Sequence, residues 1–335
     1  VSKADACAAI LWVGATMYAI FGGADFGGGL WDLVAGDAEK GRRPRARIQR
    51  SLTPVWEANH VWLIFILVVL WTAFPEAFAA IMSTLYVPLA LAALGIVLRG
   101  AGFAFRKSVE SPAAQQALGA TFAISSLMTP FFMGTVVGAI ASGNVPAEGN
   151  GAAFSSWLEP LPLLTGAMFV ASGAYLAAIF LIADSRRDGD REMEEYFRSR
   201  ALWAAAGAGA FAVAGLFALN DEASSIFDRL VAEGLPLVIL SAACGLGVLA
   251  MLLRGRVRGL RPLAILAVAA VIWGWGVAQF PYLLPTSLDI ATAAAPGPTL
   301  TSVLIVFCVA AVTILPALAL LYSLAQRDMV GESGE

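Results

Sequence analysis

The segment LPLLTGAMFVASGAYLAAIFLIA, Leu161 to Ala183, runs 23 residues without a charged side chain. A helix rises about 1.5 Å per residue, so this length crosses a hydrocarbon layer of roughly 30 Å with its backbone bonded to itself. Comparable stretches recur on both sides. Toward the amino end lie Ala117 to Ala141, Ala77 to Leu98, a stretch opening at Pro54 and Val55 with its apolar run from Val61 to Phe74, and Ala6 to Gly22. Toward the carboxyl end lie Ala201 to Leu219, Leu235 to Leu253, Leu263 to Leu284 and Thr299 to Leu324. Val61 to Leu98 is too long for one crossing, so the Phe74-Pro75-Glu76 corner reads as a tight turn at one face. The fold class is therefore an all-α polytopic membrane protein with nine transmembrane helices.

Composition agrees. The 335 residues are 59% hydrophobic and 13% charged, against about 25% charged in soluble domains. Two soluble domains of ordinary size are excluded, because a compact chain in water could not cover this much apolar surface. The net charge of −3 and the scatter of basic residues among short loops argue against a nucleic-acid partner. Cys7, Cys244 and Cys308 lie far apart in or beside apolar runs and read as small core residues. The first apolar stretch lacks the flanks of a cleaved signal and reads as a retained span.

Lysine and arginine stay on the cytoplasmic side during insertion. With nine crossings, one side receives Lys40, Arg42, Arg43, Arg45, Arg47 and Arg50; Arg106 and Lys107; Arg186, Arg187, Arg191, Arg198 and Arg200; Arg254, Arg256, Arg258 and Arg261; and Arg327. With Arg99 at the inner end of the third helix, that is nineteen of the twenty-one basic residues, Lys3 and Arg229 being the rest. The expected orientation has the amino terminus outside and the carboxyl terminus in the cytoplasm.

Polar groups inside such spans are costly and face protein or water. Asp25 sits in Phe21-Gly22-Gly23-Ala24-Asp25-Phe26-Gly27-Gly28-Gly29, where glycine permits close helix contact or an unwound backbone. It is either a carboxylate leaving the membrane at a helix exit or a buried structural or functional acid. The densest group is Thr53-Pro54-Val55-Trp56-Glu57-Ala58-Asn59-His60-Val61-Trp62-Leu63. Glu57 and His60, three apart, can share a polar pocket; Asn59 can bridge a water or a backbone group; Trp56 and Trp62 fit an interfacial belt. Glu57 suits proton handling or charge pairing beside a buried cofactor, or else anchors the interfacial belt. His60 is the sole histidine, so bis-histidine haem ligation cannot be completed here; a mixed ligand set or a ligand from a partner is chemically open, and a histidine hydrogen-bonded near Glu57 is the ordinary reading. Arg99 either snorkels to the interface or compensates a buried acid. Glu76 and Glu159 read as solvated carboxylates at outer corners. Gln279 is a weaker polar candidate, and the prolines after it in Phe280-Pro281-Tyr282-Leu283-Leu284-Pro285 kink or end the eighth span. A secondary transporter, with broken helices around a buried acid, is the alternative class.

These residues bring the chain close to a known family: it resembles subunit II of the cytochrome bd quinol oxidases. Asp25-Phe26-Gly27 matches an early Asp-x-Gly region, and Pro54-Val55-Trp56-Glu57-Ala58-Asn59-His60-Val61-Trp62-Leu63 matches the Pro-x-Trp-Asp/Glu-x-Asn-x-Val-Trp-Leu signature. Phe74-Pro75, Arg99-Gly100-Ala101-Gly102-Phe103, Phe280 to Pro285 and Pro316 extend the likeness over the nine spans. The resemblance implies two four-helix bundles, residues 1–145 and 146–287, and a peripheral ninth helix with a short tail over 288–335. It implies a homologous subunit I carrying haem b and haem d or variant haems. Small single-helix accessory subunits, membrane lipid and a structural quinone or lipid are further expected companions. The expected activity is oxidation of quinol at the outer side, with dioxygen reduced to water by protons drawn from the cytoplasm, in the bacterial inner membrane. By the same resemblance Glu57 belongs to the proton path, and Asp25 to that path or to the structure around it. Several members carry another acid where Ala104 stands, so their path transfers to this chain only in part.

Overall fold

The structure is a computed structural model that describes residues 2–36, 39–52, 56–106, 109 and 111–326. α1 (Lys3–Met17) opens on a capping box: the Asp5 N–H donates to Ser2 Oγ, and the Ser2 N–H donates back to the Asp5 carboxylate. It runs through a π-helical turn, Tyr18–Gly22, into α2 (Gly23–Leu33), so the first span is one 31-residue helix. The backbone at the glycines is helical and not unwound. α3 (Arg42–Leu52) is a short basic helix, followed by α4 (Trp56–Ala73).

The corner at Phe74 and Pro75 is where the sequence placed it, but the chain beyond the corner departs from a single straight span. Pro75 occupies the first turn of α5 (Pro75–Thr84), which is bent 118° from α4. Chain direction changes again at Leu85, and α6 (Tyr86–Arg106) makes the crossing. The expected span from Ala77 to Leu98 is thus broken near its start. Pro88 is the cause: it has no N–H for the Thr84 carbonyl and its ring blocks that turn, so a new helix begins just before it.

The remaining helices are α7 (Pro112–Ala141), α8 (Pro160–Arg187), α9 (Arg191–Glu222), α10 (Ser224–Ala232), α11 (Leu235–Leu253), α12 (Leu260–Gln279) and α13 (Gly297–Gln326). Between α12 and α13 lies a small antiparallel hairpin, β1 (Tyr282–Leu284) with β2 (Leu288–Asp289). The eighth span therefore stops at Gln279, short of Leu284, because Pro281 cannot continue a helix. Among the described residues eight helices are long and apolar enough to cross a membrane, and the bent pair α4–α5 brings the count up to nine.

α8 is the inner post of the assembly. Every residue from Gly173 to Ile179 is buried, as expected of a helix apolar on all sides. It is reached by α2 at a point where glycine faces glycine: a Cβ on Gly27 would lie 2.0 Å from the Gly173 carbonyl oxygen. Trp31, one turn further on, donates its indole N–H to the Ala174 carbonyl at 2.9 Å.

The connections gather at two opposite ends. At the basic end Arg47 on α3 inserts against α8, donating to Ser185 Oγ at 3.1 Å and to the Asp184 carbonyl at 2.9 Å, and pairing with Asp188. Arg43 reaches Glu192 and Asp190, and Arg261 reaches Asp184. At the other end Ala295 N donates to the Ala73 carbonyl at 2.8 Å, Asn144 to Glu159 at 2.7 Å, and the Leu161 N–H in the first turn of α8 to the Glu222 carboxylate at 3.2 Å. Among the described residues the connections around Arg43 and Arg47, Asp188 to Glu192, and Arg261 thus sit together, and Glu159 is held by Asn144. The side chain of Arg106, together with Lys107 and Arg327, lies outside the described residues.

Candidate functional site

Asp25 and Arg99 meet in the interior. α2 carries Asp25, 1% exposed, and α6 carries Arg99, 3% exposed. The Arg99 Nη2 group donates to Asp25 Oδ1 at 2.7 Å and to the Asp25 carbonyl oxygen at 3.3 Å. The guanidinium carbon lies 4.6 Å from the Phe26 ring centroid and 4.9 Å from that of Phe122 on α7, so aromatic rings flank the cation. His60, half-buried on α4, stands edge-on to Phe26 with 6.5 Å between ring centroids. Four helices thus contribute, α2 with Asp25 and Phe26 and α4, α6 and α7 with one group each. The charges cancel in a place where either alone would cost several kcal/mol.

Close packing lets a short aspartate reach across. A Cβ on Gly29 would fall 2.3 Å from Ser126 Oγ, and one on Gly95 would fall 2.3 Å from Thr129 Oγ1. These hydroxyls on α7 turn back on their own helix, Ser126 donating to Phe122 O at 2.6 Å and Thr129 to Ser125 O at 3.1 Å. They fill space at α2 and α6 without leaving a polar group unsatisfied.

Several polar atoms in the same place take no hydrogen bond from a described group: Asp25 Oδ2, Arg99 Nε and Nη1, and the Tyr18 hydroxyl in the π-helical turn. Tyr18 and His60 both lie close enough to the Asp25–Arg99 pair to interact with it electrostatically. Buried polar atoms of this kind are ones that an internal water would satisfy.

Asp25 is buried among the helices, and Arg99 is paired with it. Glu57 lies on α4 one turn before His60, but the side chains of Trp56, Glu57 and Asn59 fall outside the described residues. Trp62 packs edge-on against Phe65 at 6.3 Å. Gln279 is buried and donates to the Leu283 carbonyl at 2.7 Å, tying the end of α12 to the hairpin. It has no contact with the ion pair.

Sequence reasoning missed Tyr18, Phe122 and Asp32. Asp32, seven residues after Asp25 and so on the same face of α2, is 3.2 Å from Arg45 of α3. That spacing, next to an arginine-rich loop, was the available signal. Nothing in the sequence marked Phe122, which acts through a ring on another helix. Among the described residues no three His, Cys, Asp or Glu side chains gather as a metal site. One histidine does not make the donor set of a haem protein with histidine on both faces.

The fold and the buried pair define a polytopic, all-helical integral membrane protein with a compensated acid in its interior. The family model for cytochrome bd terminal oxidase subunit II matches residues 4–325. Cytochrome bd ubiquinol oxidase subunit 2 of Bacillus subtilis (strain 168) is 30% identical over 128 residues, 38% of this chain and 36% of the relative. Cytochrome bd-I ubiquinol oxidase subunit 2 of Escherichia coli (strain K12) is 29% identical over 163 residues, 46% of this chain and 41% of the relative. The alignments thus span about two fifths of the length of these curated relatives. A chain in the solved bd oxidase of Geobacillus thermodenitrificans shares the fold, with a TM-score of 0.77, 22% identity, and coverage of 97% of this chain and 98% of that one. The chain belongs to the cytochrome bd terminal oxidase subunit II family.

Proposed function

We propose that this chain is the haem-free subunit of a bd-type quinol oxidase in the bacterial inner membrane, paired with a homologous subunit I. The donor set supports placing haem b and haem d, or a variant set, on that partner. When bound there, the haems supply electron transfer from quinol and the reduction of dioxygen to water. This chain contributes shape and proton access. With the basic loops facing the cytoplasm, Glu57 on α4 takes up protons from that side and releases them toward the partner, since a carboxylate held in a protein interior can exchange a proton when its surroundings shift.

The observation that carries this reading is the Asp25–Arg99 pair beside His60, one turn from Glu57. It joins a buried acid and a buried base beside the helix that carries Glu57, and the atoms of Asp25, Arg99 and Tyr18 that have no described hydrogen-bond partner favour hydration there. A transporter site would call for unwound backbone at the glycines, whereas the first span is helical from Lys3 to Leu33. In the same reading residues 1–145 and 146–287 form two bundles and 288–335 a peripheral helix, with single-helix subunits and a structural quinone or lipid as further companions.

The test is Glu57→Gln in the intact complex. The variant is expected to assemble with its haem spectrum unchanged, while quinol-driven oxygen uptake falls or shifts its pH dependence. Normal uptake across pH would overturn the proton role. A purified complex without haem or a second large subunit would overturn the oxidase reading itself.

A further inference from the structure

The cations at the basic end fall into two groups. Arg43, Arg45, Arg47, Arg187, Arg198 and Arg261 each pair with a carboxylate. Among the described residues Arg42 and Arg191 do not, and neither do Arg254, Arg256 and Arg258. The last three lie in the short connection 254–259 between α11 and α12, are exposed, and make no ion pair or side-chain hydrogen bond with any described residue. Gly255 and Gly259 take left-handed φ values of 65° and 90°, which folds the connection tightly and keeps its three arginines in one turn. Arg198 on α9 donates to the Leu252 carbonyl at 2.9 Å and so fixes the connection against the neighbouring helix.

An apolar track runs away from this cluster. Ile239, Leu246 and Leu253 recur every seven residues on α11, share one face, and are 60%, 66% and 67% exposed. From Ile239 to Leu253 the track is about 21 Å long, the reach of an extended acyl chain. Gly245, beside Leu246 on α11, meets open space where a side chain would stand, so no neighbouring helix covers that point.

We infer that Arg254, Arg256 and Arg258 seat the phosphate of one anionic phospholipid, with its acyl chains lying along Ile239, Leu246 and Leu253. Unpaired arginines at the membrane surface offer planar, multidentate donors that match a phosphate. Insertion topology alone requires positive charge but not three guanidinium groups, without a carboxylate partner among the described residues, in one turn above an aliphatic track. An acidic protein segment would match the arginines and leave the track uncovered. A lipid satisfies both.

The experiment uses the full chain with the subunits that copurify, reconstituted in phosphatidylcholine nanodiscs doped with phosphatidylglycerol. Native mass spectrometry after detergent extraction counts the lipid retained. The expected result is selective retention of phosphatidylglycerol, with retention falling roughly 10- to 100-fold in the Arg254→Gln/Arg256→Gln/Arg258→Gln variant. Retention is expected to stay at the wild-type level in Arg42→Gln/Arg191→Gln, which removes two exposed cations of the same end. Should the triple variant fail to insert, Arg254→Lys/Arg256→Lys/Arg258→Lys keeps the charge but loses bidentate contact, and its retention is expected to drop several-fold. Equal retention of the two lipids, or wild-type phosphatidylglycerol retention in whichever loop variant folds, would overturn the inference. So would an acidic polypeptide cross-linked to the loop in place of lipid.

Discussion

Gly27→Ala tests the contact that sets the distance between α2 and α8. The added Cβ would stand 2.0 Å from the Gly173 oxygen, 2.2 Å from its carbonyl carbon and 2.6 Å from Ala174 N, all of them backbone atoms that cannot swing aside. Restoring ordinary contact of 3.4 Å to that oxygen requires the helices to part locally by about 1.4 Å. The same movement would stretch the 2.9 Å Trp31–Ala174 hydrogen bond beyond any useful length. Overpacking of this kind costs about 1–3 kcal/mol, and losing the buried indole bond adds about 1 kcal/mol, so the expected destabilisation is about 2–4 kcal/mol. Heating the detergent-solubilised protein and following its monodisperse fraction by size exclusion measures this as a midpoint lowered by several degrees. Gly209→Ala, where a Cβ meets nothing within 4 Å, is the matched control and is expected to be neutral or slightly stabilising. If Gly27→Ala and Gly209→Ala melt together, the direct backbone contact is refuted.

Other perturbations have equally definite outcomes. Asp25→Asn strands a buried guanidinium and Arg99→Gln strands a buried carboxylate, each costing about 3–5 kcal/mol; the double variant is expected to recover a large part of that loss, measured as the yield of folded protein in a double-mutant cycle. Additive losses would show that the two side chains do not form one unit. Arg47→Gln removes the cation that joins α3 to Ser185, Asp184 and Asp188, and is expected to expose the loop around residues 42–52 to limited proteolysis while leaving the spans protected. An unchanged cleavage pattern would show that α3 is held by other contacts.

The number and order of the crossings were legible because hydrocarbon length and retained cations are both written locally, in runs of about twenty residues and in the loops between them. The broken third span was less so. Ala77 to Leu98 is apolar throughout, and only Pro88, four residues after Thr84, determines where the backbone must restart. The site divided in the same way. Asp25 and Arg99 stood out as charges in the wrong solvent, but their pairing joins residues 74 apart and depends on glycines whose partners lie on other helices. Periodicity cannot reveal a contact made by the absence of a side chain on both sides. For the same reason Tyr18 and Phe122 passed as ordinary aromatic residues of apolar spans.

The 74-residue separation of Asp25 from Arg99 also sets a schedule for biosynthesis. At translation rates of about 5–20 residues per second, the first span leaves the ribosome about 4–15 s before its counterion has been made. During that interval the nascent carboxyl must wait as the neutral acid or at a wet lateral gate, and α4 must insert before the matching arginine exists. The ion pair is therefore a late event in maturation. Any membrane insertase that handles this polypeptide has to shelter a half-built hairpin until α6 emerges and releases it.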